Sequence, residues 1–321
     1  MTETNPKVTL AMPVRNGADY IESAIESLLA QTFEDFELIV TDNASTDRTA
    51  EIVTAIAARD ARVHYHLNPV DFGAAGNYNR GFELARGEYL KWCAHDDLVS
   101  PNYLELAVKA LDEDPGAVLA YGPTQMIDGY GVPFEGDPPI LWDMNDANAA
   151  RRFARVVRIG GSCGAIFGLF RKSALEQSLL HRKYYQSDRA LLSEMAVLGT
   201  FHFVDEIVFY NREHATRSMS IDDKAARARW QNGSASRRFA LEQWPLARHY
   251  WEIVWRHRQR ESLMKTAPAL LGWNLHPKRL GRHALEVLWI LSPGFSTAMR
   301  RIWLRLSPDK TRPGTESFNG S

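Results

Sequence analysis

The sequence predicts an α/β fold: a mostly parallel sheet flanked by helices, followed by a C-terminal helical appendage. Three observations carry that expectation. Apolar strand-forming runs alternate with segments of helical period from Val8 to about Tyr210, the pattern of parallel strands joined by crossover helices. Two adjacent carboxylates, Asp96 and Asp97, stand where the short run Tyr89 to Ala94 stops, just ahead of Ser100-Pro101, an N-cap followed by proline at the first helical position. The charge is also divided, since residues 1–223 hold 20 Lys and Arg against 33 Asp and Glu, while residues 224–321 hold 18 against 6. Three segments follow: a catalytic α/β domain over 1–223, a basic helical appendage over 224–306, and a polar tail over 307–321 that is expected to be disordered.

In chain order, Val8 to Met12 reads as a strand ending at the turn Pro13-Val14-Arg15-Asn16-Gly17. The next helix shows the buried stripe Ile21, Ala24, Ile25, Leu28 and Leu29. Phe36 to Thr41 is a second strand, and Asp42 to Asp47 is a turn whose last acid can cap the helix marked by Ala50, Val53, Ile56 and Ala57. Two such units in series imply a parallel sheet. A third strand, Val63 to Leu67, leads into the glycine-containing stretch Asp71 to Gly81 and a helix that stops at Gly87. Its glycine spacing is not the dinucleotide fingerprint, which argues against a nicotinamide dehydrogenase. The strand before the two acids is the fourth. A helix over Asn102 to Leu111 and a strand over Ala117 to Met126 follow it, and residues 129–146 read as a long surface loop of the kind that covers a site. Residues 147–158 are helical, Cys163 to Phe170 is a strand, and a helix begins near Lys172. Tyr184 to Arg189 precede another helix, and Phe201 to Tyr210 is the last strand, running into a polar loop that holds His214. Residues 224–306 have helical period, interrupted at Pro245, Pro268, Pro277 and Pro293.

Cys93 and Cys163 have no metal-ligand spacing and read as reduced, buried thiols, which suits a reducing compartment. No apolar run approaches the ~20 residues that span a bilayer, and the polar start of the chain lacks the features of a signal peptide. A cytoplasmic protein, peripheral at the inner face of the membrane, is therefore expected. The basic segment 224–306, with Trp230, Trp244, Trp251, Trp255, Trp273, Trp289 and Trp303, suits an anionic membrane surface, and the same helices could equally pack on the acidic first half. No nucleic-acid partner is expected.

Four separated pieces share an order with one family: Met12 to Asn16, Thr41 to Asp47, Gly87-Glu88-Tyr89 through His95-Asp96-Asp97, and Ser187-Asp188-Arg189. The sequence resembles the glycosyltransferase family 2 enzymes, of GT-A (Rossmann-like) fold, over about residues 7–220. The resemblance implies an inverting, nucleotide-sugar-dependent transferase of the kind that serves polysaccharide biosynthesis. In such a protein Pro13, Val14, Arg15, Asn16, Asp42, Asn77 and Asp96 would hold the donor nucleotide, with Asp42 placed to accept the N3–H of uracil or thymine. The family's metal motif, Asp-x-Asp, is altered here: counted back from Pro101, the second acid falls on Asp96 and the first on Ala94. Asp96 is then the direct ligand of Mn²⁺ or Mg²⁺, and Asp97 is an alternative ligand or stands behind it. His95 packs or hydrogen-bonds, and His214 completes the metal site. Asp188 matches the family's general base.

Those assignments predict transfer from a UDP-sugar, with a dTDP-sugar second, to a hydroxyl of a glycan or lipid-linked acceptor. Nucleotidyl transfer would need a glycine-rich loop and a lysine on the triphosphate, and Pro13 to Asp19 supplies neither. A non-catalytic sugar-nucleotide or glycan-binding protein is the alternative that Ala94 raises.

Overall fold

The computed structural model describes residues 5–136, 144–158, 163–215, 217, 221, 224–233 and 241–291. Its first elements are β1 (Val8–Val14), α1 (Ile21–Leu29), β2 (Phe36–Asp42), α2 (Thr49–Ala57), β3 (Val63–Leu67), α3 (Gly73–Leu84) and β4 (Tyr89–Trp92). Then come β5 (Leu98–Val99), α4 (Tyr103–Glu113), β6 (Ala117–Tyr121), β7 (Thr124–Ile127), β8 (Pro133–Phe134) and α5 (Ala149–Arg158). β9 (Leu169–Arg171), α6 (Lys172–Leu175), α7 (Ser187–Leu198), β10 (Thr200–Phe203) and β11 (Phe209–Arg212) follow. The described helices after them are α8 (Lys224–Asn232), α9 (Gln243–Arg256), α10 (Leu263–Leu275) and α11 (Pro277–Leu291).

A seven-stranded sheet has the order β10-β6-β9-β4-β1-β2-β3. It is parallel except at β9, which runs antiparallel to both β4 and β6. This is the α/β, GT-A-like architecture the sequence predicts. Register sets the functional edge: Val14 pairs with Asp42, and Ala11 with Trp92. The carboxyl ends of β1, β2 and β4 therefore lie side by side, and the loops after them share one crevice, where open α/β sheets bind ligands.

Several boundaries depart from the sequence expectation, each for a local reason. The stretch from Gly73 is the helix α3 itself, entered at φ +72° on Gly73. Gly81 lies so close to β1 that a Cβ there would sit 2.8 Å from Ala11 Cβ, so this glycine serves helix-on-sheet packing. Pro101 is not the first helical residue, because the Ser100 carbonyl accepts the Tyr103 N–H at 3.0 Å and α4 starts only there. The Ser100 hydroxyl accepts instead from the Val208 N–H, 3.0 Å away.

The strands expected over 117–126 and 201–210 both break. β6 and β10 pair in the large sheet, and their continuations β7 and β11 re-pair in a second sheet of order β5-β11-β7-β8. Pro123 cannot donate to a ladder, and Gly122 passes so near Ile207 that a Cβ would meet its carbonyl oxygen at 2.2 Å. The two strands thus leave the sheet together. The strand expected over Cys163 to Phe170 is a turn of 3₁₀ helix, Gly164–Phe167, before the short β9. Both thiols are free, Cys93 buried and Cys163 half-buried. Of the loop 129–146, residues 137–143 lie outside the described residues, as do 292–321 with Pro293, Trp303 and the polar tail.

The chain divides into two compact units, residues 1–273 and 274–321. In the first, α9 and α10 share a core with α5 and α7 through Phe153, Ala190, Leu246, Tyr250, Ile253 and Leu270. Pro245 sits in the first turn of α9, where a missing N–H costs nothing, and Pro268 lies inside α10, so neither stops its helix. The described part of the second unit, residues 274–291, holds the end of α10 and the 15-residue α11, which begins on Pro277. Among the described residues no helix is long and apolar enough to cross a membrane.

Candidate active site

The crevice is built from turns that lock onto one another. Asn16, in the left-handed region at φ +54°, accepts the Thr46 N–H on its Oδ1 at 2.8 Å and donates its own N–H to Ser45 Oγ at 2.9 Å. Ala18 N–H donates to Asp47 at 3.0 Å, and Gly17 N–H to Thr49 Oγ1 at 2.9 Å. Asp47 also accepts the Thr49 N–H at 3.0 Å, next to the start of α2. Its carboxyl is held below the usual range: burial works against that, but the hydroxyl of Thr49 and the N–H groups of Ala18 and Thr49 outweigh burial. Arg15 pairs with Asp71, which also accepts from the Asn43 side chain at 2.6 Å.

Asp42 is fully buried at the end of β2, where it accepts the Ser45 N–H at 2.8 Å and the Tyr65 hydroxyl at 2.7 Å. A carboxylate has about four lone-pair sites, so two acceptor positions remain. Asn77 is also buried, and its amide is engaged throughout. It donates to the Thr41 carbonyl at 2.8 Å and to the Val14 carbonyl at 3.3 Å, and it accepts from Asn68 at 2.7 Å. Asn77 thereby braces the β1 and β2 ends, because its amide supplies two donors to two strand carbonyls while accepting a third bond.

After β4 the two acids diverge in role. Asp96 Oδ2 meets His214 Nε2 at 2.8 Å, so β11 brings the histidine to the carboxylate across 118 residues of sequence. Burial works to raise the Asp96 pKa, but the bond from His214 and the charge of His95 hold it below the ordinary value. Asp97 points to the other side, accepting the Arg212 N–H at 2.8 Å and the Asn211 amide at 3.2 Å. Burial, and after it the charge of Asp96, pushes the Asp97 carboxyl well up. Arg212 completes the clasp: its Nε donates to the Asp96 carbonyl at 2.7 Å while its guanidinium lies 4.9 Å from the Tyr20 ring. Tyr20 in turn lies 4.7 Å from the His214 ring. Beneath them Lys91 is buried, its amine bonded to the Phe167 carbonyl and 4.3 Å from the Tyr103 ring, and burial pushes its pKa down to about 8.

The ring of His95 rests against Gly17, where a Cβ would stand 2.6 Å from both His95 Cδ2 and Val14 Cγ2. Gly17→Ala is expected to destabilise the protein by about 1–3 kcal/mol through overpacking. Denaturant unfolding checks this, and an unchanged midpoint would mean that the His95 ring can swing away.

Asp188 comes from the far end of the sheet, on the first turn of α7. The cap position belongs to Gln186, in the left-handed region at φ +74°, and Asp188 Oδ1 accepts the Arg189 N–H at 2.9 Å. A non-glycine residue held there stores backbone strain next to the acid. Burial pushes the Asp188 carboxyl up, against the Arg189 N–H and charge. Its segment is tied to α9: Tyr184 OH lies 2.6 Å from His249 Nδ1, and Arg182 forks onto Glu252 at 2.7 and 3.0 Å. The phenol of Tyr78 is kept protonated first by burial, then by the charges of Asp96, Asp97 and Asp188. All three carboxylates thus bear on the charge state of this half-buried phenol.

Sequence reading missed Tyr20, Tyr78, Lys91, Arg212 and Gln186. Only Lys91 had a visible signal, a lysine inside an otherwise apolar strand. Among the described residues no three His, Cys, Asp or Glu side chains cluster tightly enough to hold a metal alone. The Asp96–His214 pair fits a divalent cation that takes its other ligands from a diphosphate, which is how such ions are often bound.

Residues 9–177 match the family model described as Glycosyl transferase family 2. An uncharacterized glycosyltransferase of Rickettsia felis is 36% identical over 127 residues, which are 39% of this chain and 21% of that protein. The GalNAc(5)-diNAcBac-PP-undecaprenol beta-1,3-glucosyltransferase of Campylobacter jejuni is 26% identical over 187 residues, 58% of each chain. These matches span less than two thirds of the relatives' own lengths. Two solved structures share the fold. S. aureus TarS 1–349 in complex with UDP-GlcNAc superimposes with TM-score 0.56 at 17% identity, covering 83% of this chain and 81% of that one. The mannosyltransferase PcManGT of Pyrobaculum calidifontis, in complex with GDP-Man and Mn²⁺, gives 0.54 at 17% identity, covering 96% and 82%.

Proposed function

The chain belongs to glycosyltransferase family 2, and on that basis we propose that it is an inverting glycosyltransferase that moves a sugar from a UDP-sugar, with a dTDP-sugar second, to a hydroxyl of a glycan or lipid-linked acceptor. One observation carries the reading: Asp96 and His214, from loops 118 residues apart, meet at 2.8 Å at the carboxyl edge of the sheet. In this reading the turns after β1 and β2 seat the base, with Asp42 accepting its N3–H and Asn77 bracing the strand ends. Asp96 and His214 would hold Mn²⁺ or Mg²⁺, which neutralises charge developing on the leaving diphosphate. A carboxylate with an imidazole suits Mn²⁺ better than Mg²⁺. Asp97 works from behind by fixing Asn211 and Arg212, and so the loop that delivers His214.

Asp188 accepts the proton of the acceptor hydroxyl as its oxygen bonds to the anomeric carbon. The sugar–phosphate bond breaks, and its electron pair leaves with the diphosphate. A half-buried carboxylate whose pKa desolvation has raised is a stronger base than a solvated one, which suits that task. A peripheral place at the inner face of the membrane, reached through residues 224–306, would bring the site to a lipid-linked acceptor, the kind of acceptor named for the Campylobacter relative.

Calorimetry with UDP-, dTDP- and GDP-sugars, with and without Mn²⁺, followed by turnover on simple acceptors, tests the reading. UDP-sugar binding without turnover on any acceptor would favour the non-catalytic alternative that Ala94 raises. His214→Ala is expected to raise the Mn²⁺ needed for half-maximal donor binding by about tenfold or more. Hydrogen-exchange protection of the loop from Glu213 should rise only with donor and metal together, and equal protection in the free protein would count against the role of His214.

A further inference from the structure

Among the described residues, α9 and α10 each bury one face and expose another. α9 sends Leu246, Tyr250, Ile253 and Val254 into the core. Its opposite face carries Trp244, Arg248, Trp251 and Trp255, a spacing of four, three and four residues that aligns them in one stripe. The three indoles are 50%, 39% and 61% exposed. α10 repeats the pattern: Leu270 and Trp273 face the same core, while Met264 is 86% exposed, Leu271 is 49% exposed and Pro268 between them is exposed. A surface helix ordinarily turns charged and polar residues outward, so two adjacent helices with apolar outer faces mark a contact surface.

Charge selects the partner. Arg258 lies 4.5 Å from the Trp255 ring, and Arg248 stands within the stripe. The neighbouring acids are already engaged, Glu252 by Arg182 and Glu261 by Lys265. Among the described residues the charge left over on this face is positive. A second copy docked on the same face about a two-fold axis would set one positive face against another. Indoles prefer the depth of lipid headgroups, and guanidinium groups beside them meet anionic phosphates. We propose that the outer face of α9, continued by α10, docks on an anionic lipid bilayer. The inference sharpens the membrane setting proposed above, by naming the face that makes the contact.

The test uses the full chain with phosphatidylcholine vesicles, with and without phosphatidylglycerol, read by sedimentation and by quenching of tryptophan emission with brominated lipid. Expected is binding to the anionic vesicles that weakens as salt rises. Trp251→Ala with Trp255→Ala should lower that binding by at least about tenfold, from the apolar area withdrawn, with turnover on a soluble acceptor unchanged. Arg248→Glu, which leaves the indoles and the core in place, should weaken binding to anionic vesicles alone, and does so even if the double variant folds poorly. No preference of the parent chain for anionic vesicles would overturn both this inference and the membrane setting. Parent-like binding by the double variant and by Arg248→Glu would overturn this inference alone, because contact would then be made elsewhere, as through residues 292–306. A dimer that the double variant dissolves, without vesicle binding, would assign the face to a second copy. Vesicle binding is read without turnover, so failure of the transferase reading would leave this result standing.

Discussion

Asn in place of Asp188 is expected to leave donor binding intact and to lower turnover by about 10²- to 10⁴-fold, the range for a missing general base. The substitution keeps the shape of the side chain and an oxygen that can accept the Arg189 N–H, which Asp188 accepts at 2.9 Å. It should therefore keep the first turn of α7. What it removes is a carboxylate whose pKa burial has raised. The proton-accepting group is lost while its surroundings stay. Steady-state kinetics with calorimetry of the donor checks this, and activity within a few-fold of the parent would reduce Asp188 to a helix-end residue. The ties behind it should show in the same assay: because Tyr184 and Arg182 hold the preceding segment on α9, a loss at Asp188 is a loss of chemistry and not of loop order.

Asp96→Ala is expected to abolish metal-dependent nucleotide binding, weakening UDP affinity in Mn²⁺ by at least about 10²-fold, the scale of several kcal/mol that a bound divalent ion supplies. The substitution removes the carboxylate that meets His214 at 2.8 Å and leaves the main-chain clasp, since Arg212 bonds the Asp96 carbonyl and Asp97 keeps the Arg212 N–H. The fold should survive. UDP calorimetry with and without Mn²⁺ decides it, and an unchanged difference between the two would move the metal site away from Asp96. With its charged neighbour gone, Asp97 should also titrate lower than in the parent, because that charge is the second cause of its raised pKa.

Most of the core was legible because its signals are local. The helical period of Ile21, Ala24, Ile25 and Leu28 and the apolar run of β2 need no distant partner to be read. Asp96 and Asp97 were legible the same way, as acids at a strand end, and the resemblance chose Asp96 between them. The strands over 117–126 and 201–210 were each read as continuous, across Gly122-Pro123 in one and Asp205-Glu206 in the other. Their break lies at Gly122 and Pro123, where the close approach of Ile207 forces both chains out of the sheet. Asn77 was assigned to the donor by resemblance, and its bonds to the Val14 and Thr41 carbonyls depend on a register that no local pattern shows.

The sequence by itself determined the alternation of strands and helices, the acids at the strand ends and the basic, tryptophan-rich character of the chain after residue 224. Those properties follow from side-chain period, turn chemistry and charge, each of which acts over a few residues. The resemblance set His214 beside Asp96, and the tertiary structure brings the two into contact; it alone decided that Asp97 faces Arg212 and that α9 anchors the segment carrying Asp188. It also sorted the tryptophans, sending Trp273 into the core and Trp255 to the surface. Such pairings join residues tens to more than a hundred positions apart, and they are set by how strands register and helices pack, a free-energy minimum of the whole chain that no single segment carries.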